Sequence, residues 1–322
     1  MIMSTAAPQS AWTAESFDYA RARVRFSEQA QSEWRNYLAS EAGVAKIEEA
    51  SVDARLLPRV SAELDALRPE VERGSRLVFL QPVDGLSARE VQLQIWVVGC
   101  LLGEPLVQNL AGDRLIHVWD RDPGKRMRDG ARYHQTHDDG DVHTDNVNLL
   151  EHWDYLVLGC VAAADIGGIS VIVNGLTLYR HLLANAAEAV DVLKRDFWWE
   201  CRGFHDDELY RAPVLSLDVS GEPHFRHLRT YLESAHAKAR EPLTARQVWA
   251  LNVLDAALGL PELRLYYDLR PGEIMLAKDS QILHARTRFA DPPDAISIDE
   301  WHAGGEGRLR RTLERGWIRK SS

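Results

Sequence analysis

Two periodicities share this chain unevenly, with helical stripes early and strand-like runs later. From about Ala14 to Leu38 the positions Phe17, Ala20, Val24, Phe26, Ala30, Trp34 and Leu38 form a rough helical stripe, since residues three or four apart share a helix face. Leu57 to Val71 repeats the pattern with Val60, Leu64 and Leu67 on one side. Ser87, with Glu90 three residues on, has the make-up of a capping box and opens a helix reaching about Leu102. Leu176 to Leu193 and Ala245 to Leu258 are the remaining helical stretches. Strand character belongs to Arg76–Gln81, Tyr155–Ala163, Ile169–Val173, Val214–Val219, Leu263–Leu269, Glu273–Ala277, Gln281–His284 and Arg311–Arg319. Asp165-Ile166-Gly167-Gly168 and Pro271-Gly272 are turns, and residues 103 to 142 read largely as loop.

No internal repeat, low-complexity block or linker interrupts the chain. The mixture predicts a mainly β fold with helical insertions (α+β), a sandwich or barrel decorated by helices. Alternating βα units are missing, which argues against a doubly wound nucleotide fold. A flexible tail over residues 1–12 and one domain over 13–322 are expected, its helical part at about 13–75 and its β core at about 76–319.

Composition narrows the class. Of 322 residues 45% are hydrophobic and 27% charged, as in a soluble globular enzyme. A net charge of −10 and a pI near 5.7 exclude the basic face that nucleic-acid binding needs. The same acidity favours neutral or cationic small-molecule partners over polyanions. Cys100, Cys160 and Cys201 form no CxxC pair and read as buried free thiols of a reducing cytoplasm. Met1 to Trp12 lacks the regions of a signal peptide. The apolar stretches Trp96–Leu102 and Tyr155–Ala164 are too short to span a bilayer. A cytoplasmic enzyme without membrane or nucleic-acid partners is expected, and a homo-oligomer is compatible with all of this.

The chemistry concentrates at His143-Thr144-Asp145. In extended chain, residues two apart project on one side, so the imidazole and carboxylate can reach one ion. An HxD pair alone arises often by chance, and hydrogen-bonded structural histidines are its competing explanation. Context strengthens the metal reading: the pair precedes an apolar strand, and His284 ends another strand, a rigid place for a third ligand. Two imidazoles and one carboxylate are the facial set of iron(II) oxygenases. Ser170 opens a strand after Gly167-Gly168, while Arg311 and Arg315 share one side of the last strand, where a guanidinium can clasp a carboxylate. A surface strand of alternating charge explains the two arginines equally well.

Other clusters remain divided. The loop His134 to Val142 is a solvated loop, a second metal site, or a substrate lid in which Asp138, Asp139 or Asp141 meets a cation. His224, Arg226, His227 and Tyr231 suit structural packing, with Arg226 the candidate pocket arginine. Trp198 and Trp199 read as core or interface aromatics.

His143-Thr144-Asp145, Gly167-Gly168-Ile169-Ser170, Leu269-Arg270-Pro271-Gly272-Glu273, Leu283-His284-Ala285-Arg286-Thr287-Arg288-Phe289 and Arg311-Thr312-Leu313-Glu314-Arg315-Gly316-Trp317 occur in that order. Together they resemble the iron(II)/2-oxoglutarate dioxygenases of the taurine dioxygenase, or clavaminate synthase-like, superfamily, over roughly residues 76 to 319. The resemblance implies a double-stranded β-helix (jelly-roll) core, with iron(II) on His143, Asp145 and His284. It also implies 2-oxoglutarate and O2 as cosubstrates, with Arg311 and Ser170 on the distal carboxylate of 2-oxoglutarate. Arg315 matches an arginine that meets the substrate's anionic group in some members, and Arg286 supports the ligand His284. A carboxylate at Asp145 favours hydroxylation over halogenation, which needs that position open.

The stretch between His284 and Arg311 is long, with an acidic and Gly-rich insert at Asp291–Gly307, so Arg308 and Arg310 rival Arg311 as anchors. Gly316 stands where the family usually has an apolar residue. The expected activity is hydroxylation of a free amino acid or similar small polar metabolite, with Asp139, Asp141, Arg226 and Arg315 as substrate contacts. A zinc hydrolase and a non-catalytic jelly-roll binding protein are the alternatives.

Overall fold

A computed structural model describes residues 10–41, 43–44, 46–121, 135–150, 153–202 and 208–320. The first part contains α1 (Tyr19–Ala22), β1 (Arg23–Val24), α2 (Glu28–Glu41), α3 (Pro58–Arg73), β2 (Leu77–Leu80), α4 (Ala88–Leu102), β3 (Gly103–Pro105) and β4 (Leu115–Val118). The middle holds β5 (Tyr155–Ala162), β6 (Ile166–Gly167), β7 (Ser170–Asn174), α5 (Gly175–Leu193), β8 (Asp196–Glu200), β9 (Leu209–Pro213), β10 (Leu215–Leu217) and β11 (Pro223–Phe225). The remainder is α6 (Arg229–Ala239), α7 (Ala245–Leu258), β12 (Arg264–Tyr267), β13 (Ile274–Lys278), β14 (Ile282–Arg286), β15 (Phe289–Ala290), α8 (Ile298–His302) and β16 (Thr312–Lys320).

Two sheets carry the architecture. The larger runs β1-β2-β13-β5-β16-β3, with β4 also on β16; the smaller is β12-β7-β14. Alternate residues of each strand face opposite ways, and both faces of both sheets are apolar. Phe79, Leu158, Met275, Leu313 and Trp317 of the large sheet meet Ile172, Leu265 and Ile282 of the small one in a single buried cluster. Phe79 and Tyr267 stack across this interface with ring centroids 3.6 Å apart. The opposite face of the large sheet, with Val78, Val157 and Leu276, packs on Trp34, Leu64 and Ile95 of α2, α3 and α4. The outer face of the small sheet, with Val171, Val173 and Leu283, packs on Leu178, Leu251 and Leu254 of α5 and α7. The chain is thus helices, sheet, sheet, helices, and the functional residues lie between the sheets. Gly159 marks how close α4 comes: a Cβ there would sit 2.3 Å from the Ile95 side chain.

Several expected elements differ. The stripe from Ala14 to Leu38 is interrupted, because Ser27 ends the extended run and starts a new helix, its Oγ accepting from the Ala30 N–H at 3.3 Å. Trp12, placed in the tail by its sequence position, is 2% exposed in the inter-sheet core, its indole donating to the Ser75 carbonyl at 2.8 Å. Within residues 103–142, β3 and β4 are too short to show a periodicity, yet both add to the β16 edge. The insert Asp291–Gly307 contains α8, started by a Ser297/Glu300 capping box. Trp199, within the β8–β9 hairpin, is fully buried, and all three cysteines are free. Among the described residues no helix is long and apolar enough to cross a membrane.

The outer face of β16 carries one buried charge. Glu314 accepts from Gln92 Nε2 at 2.5 Å and faces His117 Nδ1 at 2.7 Å, and Gln92 in turn meets His302 Nε2 at 3.0 Å. Burial opposes charging of His117, but the Glu314 carboxylate outweighs it and raises the imidazole above its ordinary 6.5. A raised folded-state value stabilises below 6.5 and is lost as pH climbs through it. The melting temperature should therefore fall as pH rises above 6.5, and His117→Gln should flatten that slope. Trp12→Ala should cost about 3–5 kcal/mol of unfolding free energy in urea titrations, as large core truncations do.

Candidate metal centre

Strand β14 alternates Leu283 and Ala285 outward with Ile282, His284 and Arg286 inward. His143 lies opposite His284 in an isolated antiparallel bridge, each residue's N–H donating to the other's carbonyl at 2.9 and 2.8 Å. The two rings lie with centroids 4.7 Å apart. Thr144 is fixed from the other side, its N–H donating to the His227 carbonyl at 2.9 Å and its Oγ1 accepting from the His227 N–H at 3.1 Å. Asp145 then turns at φ −75° and ψ −19°, before a short 3-10 helix at Asn146–Asn148. His143 and Asp145 therefore share a side through a turn, and the extended strand expected from the sequence ends at the bridge.

The Asp145 carboxylate crosses to the large sheet. Arg315 Nη1 donates to its Oδ1 at 2.9 Å and the Trp317 indole to its Oδ2 at 3.3 Å. His143 Nε2 and His284 Nε2 each lie 3.9 Å from an Asp145 oxygen. All three residues are buried, with their ligand atoms within 4.8 Å of one another. Among the described residues no other group of His, Cys, Asp and Glu has this geometry.

The electrostatics suit a cation. Burial disfavours the Asp145 carboxylate, but Arg315 and the imidazoles outweigh it and hold the group well below its ordinary range. Burial pushes His143 down, and burial together with His143 pushes His284 down. The result is one carboxylate and two neutral imidazoles at neutral pH, the protonation states that metal binding requires. His143 Nδ1 bonds the Asp141 carbonyl at 2.8 Å, so Nδ1 carries the proton and Nε2 faces Asp145 with its lone pair.

The other residues singled out in the sequence separate clearly. Ser170 is buried and stands in register with Arg286 on one side and Tyr267 on the other. Arg311 is buried over Phe289, its Nη2 3.4 Å from the Gly168 carbonyl and its backbone N–H 2.8 Å from Asp291 Oδ1. Gly168, at φ +72°, leaves that room: a Cβ there would lie 2.6 Å from Arg311 Nε. Arg308 is exposed and pairs with Asp165, and Arg310 donates to the Ala295 carbonyl at 3.0 Å. Of the three rival anchors, only Arg311 is buried.

Arg286 holds the loop before His143, donating to the Asp138 carbonyl at 2.7 Å and to the Thr136 carbonyl. Asp139 and Asp141 do not join the site: both are exposed, and neither lines the cavity beside the ligands. With the loop's carbonyls tied inward by Arg286 and His143, these two carboxylates are left facing solvent. Arg226 also falls away from the cavity, buried over Tyr210 and donating to the Leu150 carbonyl at 2.8 Å. His134 lies outside the described residues.

The cavity over His143 and Asp145 has a volume of about 340 Å³. Gln108, Arg121, Arg202, Tyr231, Arg315 and Trp317 contribute to its walls. Arg121 and Arg202 carry no sequence signal, since each stands alone just beyond a strand.

The family described as "Taurine catabolism dioxygenase TauD, TfdA family" matches residues 35–301, and the chain belongs to it. The protein is accordingly an oxidoreductase of the iron(II)/2-oxoglutarate dioxygenase class. FR-33289 synthase of Streptomyces rubellomurinus is 26% identical over 239 residues, which span 72% of this chain and 68% of that protein. Asparagine oxygenase, solved with Fe(II), 2S,3S-3-hydroxyasparagine and succinate, superposes with a TM-score of 0.65 at 18% identity, over 92% of this chain and 93% of that one. The non-haem iron oxygenase OrfP, solved with Fe and alpha-ketoglutaric acid, gives 0.62 at 16% identity, over 93% and 94%. These two likenesses are of fold.

Because Asp139 and Asp141 point to solvent, Asp139→Ala and Asp141→Ala should each leave 2-oxoglutarate turnover within about twofold of wild type, as surface changes do. Steady-state succinate release measures this.

Proposed function

We propose that this enzyme hydroxylates a C–H bond of a free amino acid or similarly small polar metabolite, with iron(II) held by His143, Asp145 and His284. The observation that carries the reading is the convergence of these three buried side chains on one point, beside a cavity that His143 and Asp145 line. At about 340 Å³ that cavity is near the lower end of ligand pockets, which run from roughly 300 to 1,000 Å³. The structures of asparagine oxygenase with its hydroxylated amino acid and of OrfP with (3S)-hydroxy-L-Arg support the substrate class. The inter-sheet site suits a jelly-roll core at about 76–319 within a single domain over residues 13–322.

When bound, iron with O2 and 2-oxoglutarate supplies the oxidation, coupling loss of carbon dioxide and formation of succinate to hydroxylation of the substrate. The chain's own residues do the positioning. The Asp141 carbonyl sets the His143 tautomer, and the reciprocal backbone pair fixes the distance between the two imidazoles. Arg315 and Trp317 orient the Asp145 carboxylate and keep it ionised. Arg311, with Ser170 on the facing sheet, would clasp the distal carboxylate of 2-oxoglutarate, a contact for which a guanidinium's paired donors are suited. A zinc hydrolase would use the same three ligands but has no need for this second clamp.

Anaerobic addition of iron(II) and 2-oxoglutarate to the wild type should produce a weak visible metal-to-ligand charge-transfer band, and His284→Ala should not. Arg311→Leu should need about 10-fold or more additional 2-oxoglutarate to saturate the band, since a charge-assisted bond contributes about 1.5–3 kcal/mol. Absence of the band in the wild type, or saturation of Arg311→Leu at the wild-type concentration, would contradict the reading.

A further inference from the structure

The charged residues on the cavity wall are unequal. They comprise Arg121, Asp145, Arg202 and Arg315, and Arg315 is committed to Asp145 at 2.9 Å. Among the described residues, two arginines remain against no other carboxylate on the wall. The Arg202 Nε lies 3.3 Å from Glu200 Oε2, but Lys238 Nζ lies 2.8 Å from the same oxygen. One carboxylate therefore faces two cations. Arg121 has no carboxylate within ion-pair distance among the described residues.

Arg202 is built into this position. Its backbone has φ +49°, a left-handed conformation that a residue with a side chain seldom adopts. Such conformations persist where surrounding structure enforces them and gather at ligand sites. The guanidinium lies over the Tyr231 ring with its carbon 3.4 Å from the centroid. Asn148, at the end of the turn that begins with Asp145, donates from Nδ2 to the Glu200 carbonyl at 2.9 Å. The strand end carrying Arg202 is thereby tied to the ligand-bearing turn. Stacking occupies the face of the guanidinium and Nε faces Glu200, which leaves the two terminal Nη groups for a ligand; these make no hydrogen bond to any described residue. That edge is suited to the paired oxygens of a carboxylate, sulfonate or phosphonate.

We propose that Arg202, stacked on Tyr231, is the specificity-determining residue that holds an anionic group of the primary substrate, with Arg121 adding positive potential. The substrate class is accordingly a small metabolite with an anionic end, held away from the carbon presented to the metal. This rests on the dioxygenase reading above. It also reverses what the chain's net charge of −10 suggests, because the cavity wall is cationic within an acidic protein.

Holoenzyme loaded anaerobically with iron(II) and 2-oxoglutarate, so that the cosubstrate site is filled, is titrated calorimetrically with acetate, methanesulfonate and methylphosphonate. Neutral dimethyl sulfone serves as the control. Wild type should bind at least one anion saturably and the sulfone not at all. Arg202→Gln should bind that anion at least about tenfold more weakly, the loss expected when one charge-assisted bond is removed. Arg202→Lys should recover part of the affinity. The charge-transfer band, recorded on the same samples, should be equal in all three proteins. Equal anion binding in wild type and Arg202→Gln, or no saturable binding of any of the three anions, overturns the proposal. Loss of the band in wild type instead strikes the dioxygenase reading, separately from this one.

Discussion

Two backbone hydrogen bonds between His143 and His284 are the constraint on which the site depends. They join a loop to the middle of β14, not to its end as the sequence suggested, and place two imidazoles from distant parts of the chain 4.7 Å apart. A backbone bridge has little freedom, so ring separation is set before any metal arrives. Thr144, bonded at both backbone and side chain to His227, keeps the loop from twisting about that bridge. The third donor, Asp145, reaches the opposite sheet, where Arg315 and Trp317 hold its two oxygens. Two sheets packed on one apolar core are thus also joined through the ligand set.

Charge makes the arrangement tolerable. A buried carboxylate alone is costly, and desolvation alone would protonate it. Arg315 offsets that cost, and burial keeps both imidazoles neutral. Three elements therefore present a donor set in its binding-competent protonation state. Farther out, Arg286 draws the loop carbonyls inward and Gly168 clears space for Arg311. Each of these supports acts through geometry that a one-atom change would disturb.

Much of this was legible in the sequence. The strands that carry His284 and Arg315 were legible as strands, but both faces of each are buried, so their inward sides could not be read from period alone. The capping box at Ser87 marked α4 with little error, because its two reciprocal bonds are local. What escaped was set by tertiary contact. Trp12 looks like tail until Ser75 and the inter-sheet core are in place. Asp139 and Asp141 looked like substrate contacts from their density near His143, but the loop's carbonyls, not its carboxylates, turn inward. Arg226 seemed a pocket residue and is spent on the Leu150 carbonyl, whereas Arg202 and Tyr231 meet only through folding.

The central claim is that His143, Asp145 and His284 form one iron site. Anaerobic equilibrium dialysis against iron(II) tests it most directly, comparing wild type with His143→Ala, Asp145→Ala and His284→Ala. The account predicts one iron per chain in the wild type and little retained iron in each variant, with far-ultraviolet circular dichroism unchanged. Stoichiometric iron in a folded variant lacking either histidine would contradict it.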